Sequence, residues 1–396
     1  MKTLVLNLFI LLSISATAKN KTWACINEKG ETVFTIKAIN VYDFHSGLAK
    51  VYKHTLVNNK WITGYGFIDK TGRVVIECNL KKAQDFSAPV TWVKFKNQDY
   101  YSLIDKKGNI IPTKKYKKTG SFYSFQKDIC AVYENSKMGF IDITGKEVIP
   151  CKYLGASVFS EGLASVCDYN SIKGEYGFIN KKGEEIIPLK FIQSGTSSFH
   201  NGFARAQVQG RTVLVDKTGK IVFKTSKGNI QGYNHNLIRV FTKSIRNGWG
   251  WLNMKNVFVI KPIYDKAKPF NEDGYAIVEK NRLKGLIDTT GKILIDFKYK
   301  TVYADYKKDG FYMGVYPNKE HKSLFDSKKD YFDADFKIIN TTNYKHVSSA
   351  KQGDLLPFTN INGKTGYLNR QFELVIQAKY SRAKTFSEGL AWVLLE

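Results

Sequence analysis

Arginine, histidine and proline are scarce in this 396-residue sequence, at 8, 6 and 8 residues. Sites that read phosphates or base edges favour the planar fork of Arg over the point charge of Lys. Because 53 of the 61 basic residues are Lys, no nucleic-acid partner is expected. The six His form no H-E-x-x-H, and no C-x-x-C or Cys/His spacing suggests zinc. G-x-S-x-G, P-loop and EF-hand signatures are also absent. No helical period runs beyond residue 18, and no apolar stretch after it is long enough to span a bilayer. These absences argue against the common enzyme and metal classes: the chain is expected to be no enzyme, with no metal and no cofactor.

The chain is rich in aromatics, with 26 Phe, 23 Tyr and 6 Trp, and in Gly, with 31. With so little proline, that suits an all-β protein with many tight turns. The formal charge of +26 gives an anion-attracting surface. Residues 1–18, MKTLVLNLFILLSISATA, combine Lys2, an apolar stretch over Leu4 to Ile14, and Ala16-Thr17-Ala18. This is the pattern of a cleaved export signal, so the protein is expected in the periplasm, on the cell surface or secreted. No Cys follows the cleavage point to signal a lipid anchor.

YGFIDKTGRVVI at 65–76 returns as MGFIDITGKEVI at 138–149 and as YGFINKKGEEII at 176–187. Aligning copies on the Asp gives a ladder: Asn27, Asp69, Asp105, Asp142, Asn180, Asp216, Asn253, Asp288, Asp333, Asn369. Its steps of 42, 36, 37, 38, 36, 37, 35, 45 and 36 residues signal a repeat architecture. Three residues after the rung sits Gly30, Gly72, Gly108, Gly145, Gly183, Gly219 or Gly291, with Asn256 in the 253 copy. A hairpin loop closed by a residue of positive φ follows from that placement. Phe336 and Phe372 occupy the slot in two copies, and those turns are expected to differ. An Asx side chain can bond the backbone of its own turn whether acid or amide, whereas a catalytic or metal-binding carboxylate could not be swapped so freely. The pairs Asp69/Gly72, Asp142/Gly145, Asn180/Gly183, Asp216/Gly219 and Asp288/Gly291 are therefore structural turn residues.

A third part of each unit pairs a Phe-containing turn with a small-residue strand, as in VFSEGLASV at 158–166 and TFSEGLAWV at 385–393. His45 and His200 fall in this turn and should face solvent. The five Cys occupy strand or strand-edge slots of the repeat, which points to core thiols. A Cys78–Cys151 or Cys130–Cys151 bridge is the alternative in an oxidising compartment.

These residues resemble the WG-repeat family, also called KWG repeats. Clear matches are Gly139-Phe140-Ile141-Asp142, Val148-Ile149-Pro150-Cys151-Lys152-Tyr153 and Phe159-Ser160-Glu161-Gly162-Leu163-Ala164. Lys261-Pro262-Ile263-Tyr264-Asp265 and Phe386-Ser387-Glu388-Gly389-Leu390-Ala391 match as well. Trp249-Gly250 is the literal WG; elsewhere the pair is Tyr65-Gly66, Tyr176-Gly177, Met138-Gly139, Lys284-Gly285 or Thr365-Gly366. The resemblance covers residues 23 to 396. It implies a bacterial, exported or envelope-associated repeat protein and supplies no catalytic residue.

The expected fold is all-β, about ten units of roughly 37 residues, each a meander of three or four antiparallel strands. An open or superhelical array is expected, with propeller-like closure the alternative. The expected divisions are a signal peptide (1–18), a divergent, capping N-terminal repeat (19–64), regular repeats (65–300), a divergent repeat and seam (301–364), and a C-terminal repeat (365–396). The expected function is an exported scaffold that binds a protein at the bacterial envelope, without a membrane span. A binder of acidic glycan or anionic envelope polymer through surface Lys is the alternative, and a hydrolase with a site built across repeats is a third reading. The candidate binding residues are Trp61 and Trp92, which lie off the repeat's aromatic-Gly slot, and the basic cluster Lys114, Lys115, Lys117 and Lys118.

Overall fold

The computed structural model describes residues 19–396 apart from 58, 117–124, 126–127, 169–173, 193–196, 244–247, 305–311, 316–328, 334, 340–343, 349–353 and 396. The export-signal segment 1–18 lies outside the described residues. Among the described residues every regular element is a β-strand. Each rung of the ladder belongs to its own unit, numbered 1 to 10 from Asn27 to Asn369.

Unit 4 shows how the sequence builds one. Ile129–Glu134, Lys137–Asp142 and Glu147–Ala156 pair antiparallel in that order. The second pairing shifts register, with Phe140 opposite Ile149 but Ile141 opposite Glu147. The third strand therefore bends across the second at Gly139, where an added Cβ would lie 2.5 Å from the Ile149 carbonyl oxygen. The same approach recurs at Gly66, Gly177, Gly250, Gly285 and Gly366, each against the carbonyl of the corresponding Ile. The glycine of the motif is thus fixed by backbone against backbone, an obstacle no side chain can rotate away from.

The sheet edges answer the question of closure. The strand Lys21–Asn27 lies between Thr32–Ala38 on one side and Leu390–Leu394 on the other, with Cys25 opposite Trp392 and Asn27 opposite Leu390. Among the described residues, ten clusters of buried apolar side chains fill the spaces between successive units. One packs Trp23, Cys25 and Trp392 of unit 1 against Val41, Ala49 and Val51 of unit 2. The last packs Tyr367 and Ile376 of unit 10 against Ala24, Ile26 and Val393 of unit 1. An open row has one interface fewer than it has units, so this arrangement is a ring. The expected open or superhelical array is corrected: the structure takes the closed alternative. The physical reason is that the first and last strands are complementary edges, and pairing them satisfies two rows of backbone groups while burying Trp23 and Trp392.

The expected seam at 301–364 is also corrected. Its sheet of Thr301–Ala304, Tyr312–Val315, Lys329–Phe332 and Ile338–Ile339 packs on both neighbours, and the join falls inside unit 1. The segment 19–64 is no outer cap either, because its strands divide between units 1 and 2. Among the described residues, eight hydrogen-bonded sheets serve ten units because Val74–Ala83 and Glu147–Ala156 run on from one unit into the next.

The ladder turns have one geometry throughout. Gly145 N–H donates to the Asp142 carbonyl at 3.0 Å, and Asp142 N–H to the Lys146 carbonyl at 3.0 Å. The turns at Phe336 and Phe372 do not differ as expected. Phe336 and Phe372 take φ of 61° and 63° and donate to Asp333 and Asn369 at 3.1 and 3.0 Å. Packing offsets the strain of a bulky left-handed residue: each ring reaches the preceding unit, Phe336 edge-on to Tyr275 and Phe372 against Tyr331.

Candidate functional site

The polar residues of the repeat hold units to one another. Ser387 Oγ donates to the Phe44 carbonyl at 2.5 Å, and Ser160 Oγ to the Phe199 carbonyl at 2.6 Å, each acceptor lying in the next unit. The neighbouring Glu continues the latch. Glu388 accepts from the Gly47 N–H at 3.0 Å and pairs with Lys70 at 3.1 Å. Glu161 accepts from the Gly202 N–H at 3.0 Å and pairs with Lys217 at 3.2 Å. Burial pushes both carboxyls up, but these bonds outweigh it and hold them below the usual range. Unit 7 latches with other groups: Asn234 donates to the Phe270 carbonyl at 2.9 Å, and His235 Nε2 meets the Asn271 carbonyl at 2.6 Å.

A cavity of about 690 Å³ opens between these turns, centred on units 6 and 7. Arg205 and Arg239 project into it from the strands Phe203–Val208 and Leu237–Thr242. Both occupy the slot after Gly-Leu-Ala, where other units carry Lys50, Trp92, Ser165, Ile277 or Trp392. Arg239 donates to the carbonyls of Ala267 at 2.6 Å and Gln231 at 3.3 Å, and its guanidinium lies 5.0 Å from the Trp249 ring centroid. Its Nε is buried with no partner. Arg205 meets no carboxylate among the described residues. Burial lowers the pKa of both, and the neighbouring Arg205 charge adds to the effect on Arg239, which is brought down to about 10.

A family model described as "WG containing repeat" matches residues 65–98, 138–170, 176–211, 249–283, 285–313 and 366–396, together half of the chain. The chain belongs to the WG-repeat family. No curated protein matches it. Among solved structures it is similar to a eukaryotic initiation factor, at 9% identity over 81% of this chain and 96% of that one, with a TM-score of 0.49. BamB from Moraxella catarrhalis is 8% identical over 89% and 95%, with a TM-score of 0.35. AztD from Citrobacter koseri is 10% identical over 95% and 100%, with a TM-score of 0.34. Likeness at these levels says nothing about function.

The WG-repeat ring treats the expected binding residues unequally. Trp61 is 68% exposed, cross-strand from Leu56 at 52%, near the tip of the hairpin Leu48–Val57/Lys60–Asp69. Trp92 is corrected: it has no exposed surface and donates its indole N–H to Cys130 Sγ at 3.4 Å, so it packs the core and offers no face to a ligand. Lys114 pairs with Glu134 at 3.4 Å and Glu147 at 3.0 Å, across to unit 4. Glu134, Glu147 and Cys151 place ligand-type atoms within 4.8 Å of one another, but the Lys114 ammonium already fills the cation's place. Lys115 is exposed, 5.1 Å from the Tyr100 ring centroid. Lys117 and Lys118 lie outside the described residues. No disulfide joins any of the five Cys among the described residues, and four of them are buried. Burial pushes Cys25 and Cys130 up to about 12 and Cys78 and Cys151 up to about 11, so none of these four is a ready nucleophile.

Sequence reasoning missed Arg205 and Arg239, having weighed arginine only as a count. The signal was available: two of eight arginines fall in one slot of adjacent WG repeats.

Proposed function

We propose that this WG-repeat protein is an exported, non-catalytic scaffold that docks a protein partner at the cell envelope. The observation that carries the reading is the hairpin of unit 2. Its strands are ten residues each, against six for the corresponding pair in unit 4. The extra length ends in the exposed Leu56–Trp61 pair, an apolar anchor of the kind that dominates protein interfaces. The hairpin is braced, not loose: Asn20 bonds both the N–H and the carbonyl of His54 at 3.1 and 3.3 Å, and Thr63 Oγ1 meets His54 Nδ1 at 2.6 Å. The non-catalytic reading is supported by the use of the repeat's Ser, Glu and Asp side chains in latches and turns.

The test is capture of a partner from the producer's envelope fraction at roughly 50 and 300 mM salt, with wild-type and Trp61→Ala protein. An apolar anchor predicts a discrete protein retained at both salts, and a loss of affinity on Trp61→Ala of about 2 kcal/mol, near thirtyfold. Retention unaffected by Trp61→Ala, or capture that washes off entirely at the higher salt, would refute the docking role.

A further inference from the structure

We infer that the cavity between units 6 and 7 binds a small organic acid of the sugar-acid class, its carboxylate held between Arg205 and Arg239. This goes beyond the docking reading and rests on different residues.

In unit 2 the same slot holds a lysine. Lys50 there pairs with Asp85 of the next unit at 3.0 Å and donates to the Ala83 carbonyl at 3.3 Å. Arg239 reproduces the second contact, since Ala267 stands to unit 8 as Ala83 stands to unit 3: Ala267 pairs with Val278, and Ala83 with Val93. It lacks the first, because Pro269 occupies the place of Asp85. For Arg205 the corresponding residue is Gly232. Two neighbouring guanidiniums thus take the position that Lys50 holds in unit 2, without the acid that pairs with it there. A half-buried cation pair with no counter-charge among the described residues is costly unless something supplies one.

The rest of the lining says what carries that charge. Glu161 is neutralised by Lys217, and Glu272 is exposed at the rim. Ser198, Asn201 and Gln231 offer hydroxyl and amide groups, while Tyr233 and Phe203 present an edge-to-face pair with centroids 4.9 Å apart. Forked cations for a carboxylate, short polar groups for hydroxyls and an aromatic face for a ring together describe a sugar acid. A volume of about 690 Å³ lies within the range of small-molecule pockets.

The experiment is calorimetric titration of the full chain with glucuronate, with glucose and inorganic phosphate as separate arms. Glucuronate is expected to bind with a Kd on the order of 1 mM or tighter, and glucose at least about tenfold more weakly. Arg205→Met and Arg239→Met should each weaken glucuronate at least about tenfold. Gly232→Asp is the sharper variant: its φ is ordinary, an added Cβ meets nothing within 4 Å, and the new carboxylate would satisfy Arg205 from within. It should melt no lower than wild type and lose glucuronate, and it decides the matter if an arginine variant fails to fold. Equal binding of glucose, binding of phosphate without glucuronate, undiminished binding by Gly232→Asp, or no glucuronate heat up to about 20 mM would each overturn the proposal.

Discussion

The neighbouring turns of units 4 and 5 share one backbone course but differ in the residue at their heart. In unit 4, Asp142 accepts the Thr144 N–H at 2.9 Å, the Thr144 hydroxyl at 2.6 Å and the Lys146 N–H at 3.1 Å. In unit 5, Asn180 accepts the N–H groups of Lys182 and Glu184 at 2.9 and 3.0 Å, and its amide donates to the Glu184 carboxylate at 2.6 Å. The pattern holds at nine of the ten rungs; Asn253, four residues before Val257, is the exception. Asn27 and Asn369 likewise donate to Glu31 and Glu373, both at 2.7 Å. Asp69 faces Arg73 and Asp105 faces Asn109, while Asp216, Asp288 and Asp333 precede Lys220, Lys292 and Lys337. Wherever the residue four positions on is charged, an acid on the rung goes with a cation there and an amide with a carboxylate. That is a rule of local electrostatics, and it supports reading the rung as structure and not chemistry.

The comparison is broken most severely at the position both turns share. Gly145 has φ of 83°, and a Cβ there would lie 2.4 Å from the Pro112 carbonyl oxygen of the preceding unit. Gly145→Val combines left-handed strain in a β-branched residue with a clash against backbone, for an expected loss of about 3 kcal/mol or more in denaturant unfolding. Gly162 is the control, with φ of 89° and nothing within 4 Å of an added Cβ. Gly162→Ala should cost only the strain, about 1 kcal/mol. Equal costs at the two sites would mean that contact between units is not what selects glycine in the ladder.

A smaller effect tests the pairing rule. Asn180→Asp keeps the acceptor but sets a carboxylate against Glu184, and should cost about 0.5–1 kcal/mol at neutral pH and low salt. Glu184→Lys in the same chain should restore it, converting the turn of unit 5 into that of unit 4. Failure of the second change to rescue the first would break the rule.

How much of this was legible depends on range. The period, the hairpin and the Asx turn were readable because their causes lie within a few residues of one another. Phe372 was misread for the opposite reason: its positive φ is stabilised by Tyr331, which belongs to another unit. Closure likewise depends on the fit of Cys25 against Trp392 across nearly the whole chain. The phase of the repeat permitted that pairing without requiring it. Trp92 and Lys114 looked like surface groups until the next unit supplied Cys130 for one and Glu147 for the other. The arginine pair was visible as a slot in the repeat, but the lack of an acid beside it emerges only when units are laid side by side.

The smallest expected effect falls on the rung itself. In Asp142→Asn the amide oxygen still accepts from Thr144 and Lys146, so the turn should persist. What is lost is charge: burial pushes the Asp142 carboxyl up, but the Thr144 hydroxyl, the Thr144 and Lys146 N–H groups and the Lys146 charge outweigh this and hold it below its usual range. A carboxyl with a lowered folded-state pKa contributes stability that is complete above its unfolded value, near pH 4, and disappears as pH falls through the folded one. Asp142→Asn should therefore cost a few tenths of a kcal/mol at pH 7 and nothing near pH 2, where wild type and variant carry the same charge. Denaturant melts at the two pH values read this directly. A gap that persisted in acid, or one above about 1 kcal/mol at neutral pH, would show that the carboxylate serves something besides its own turn.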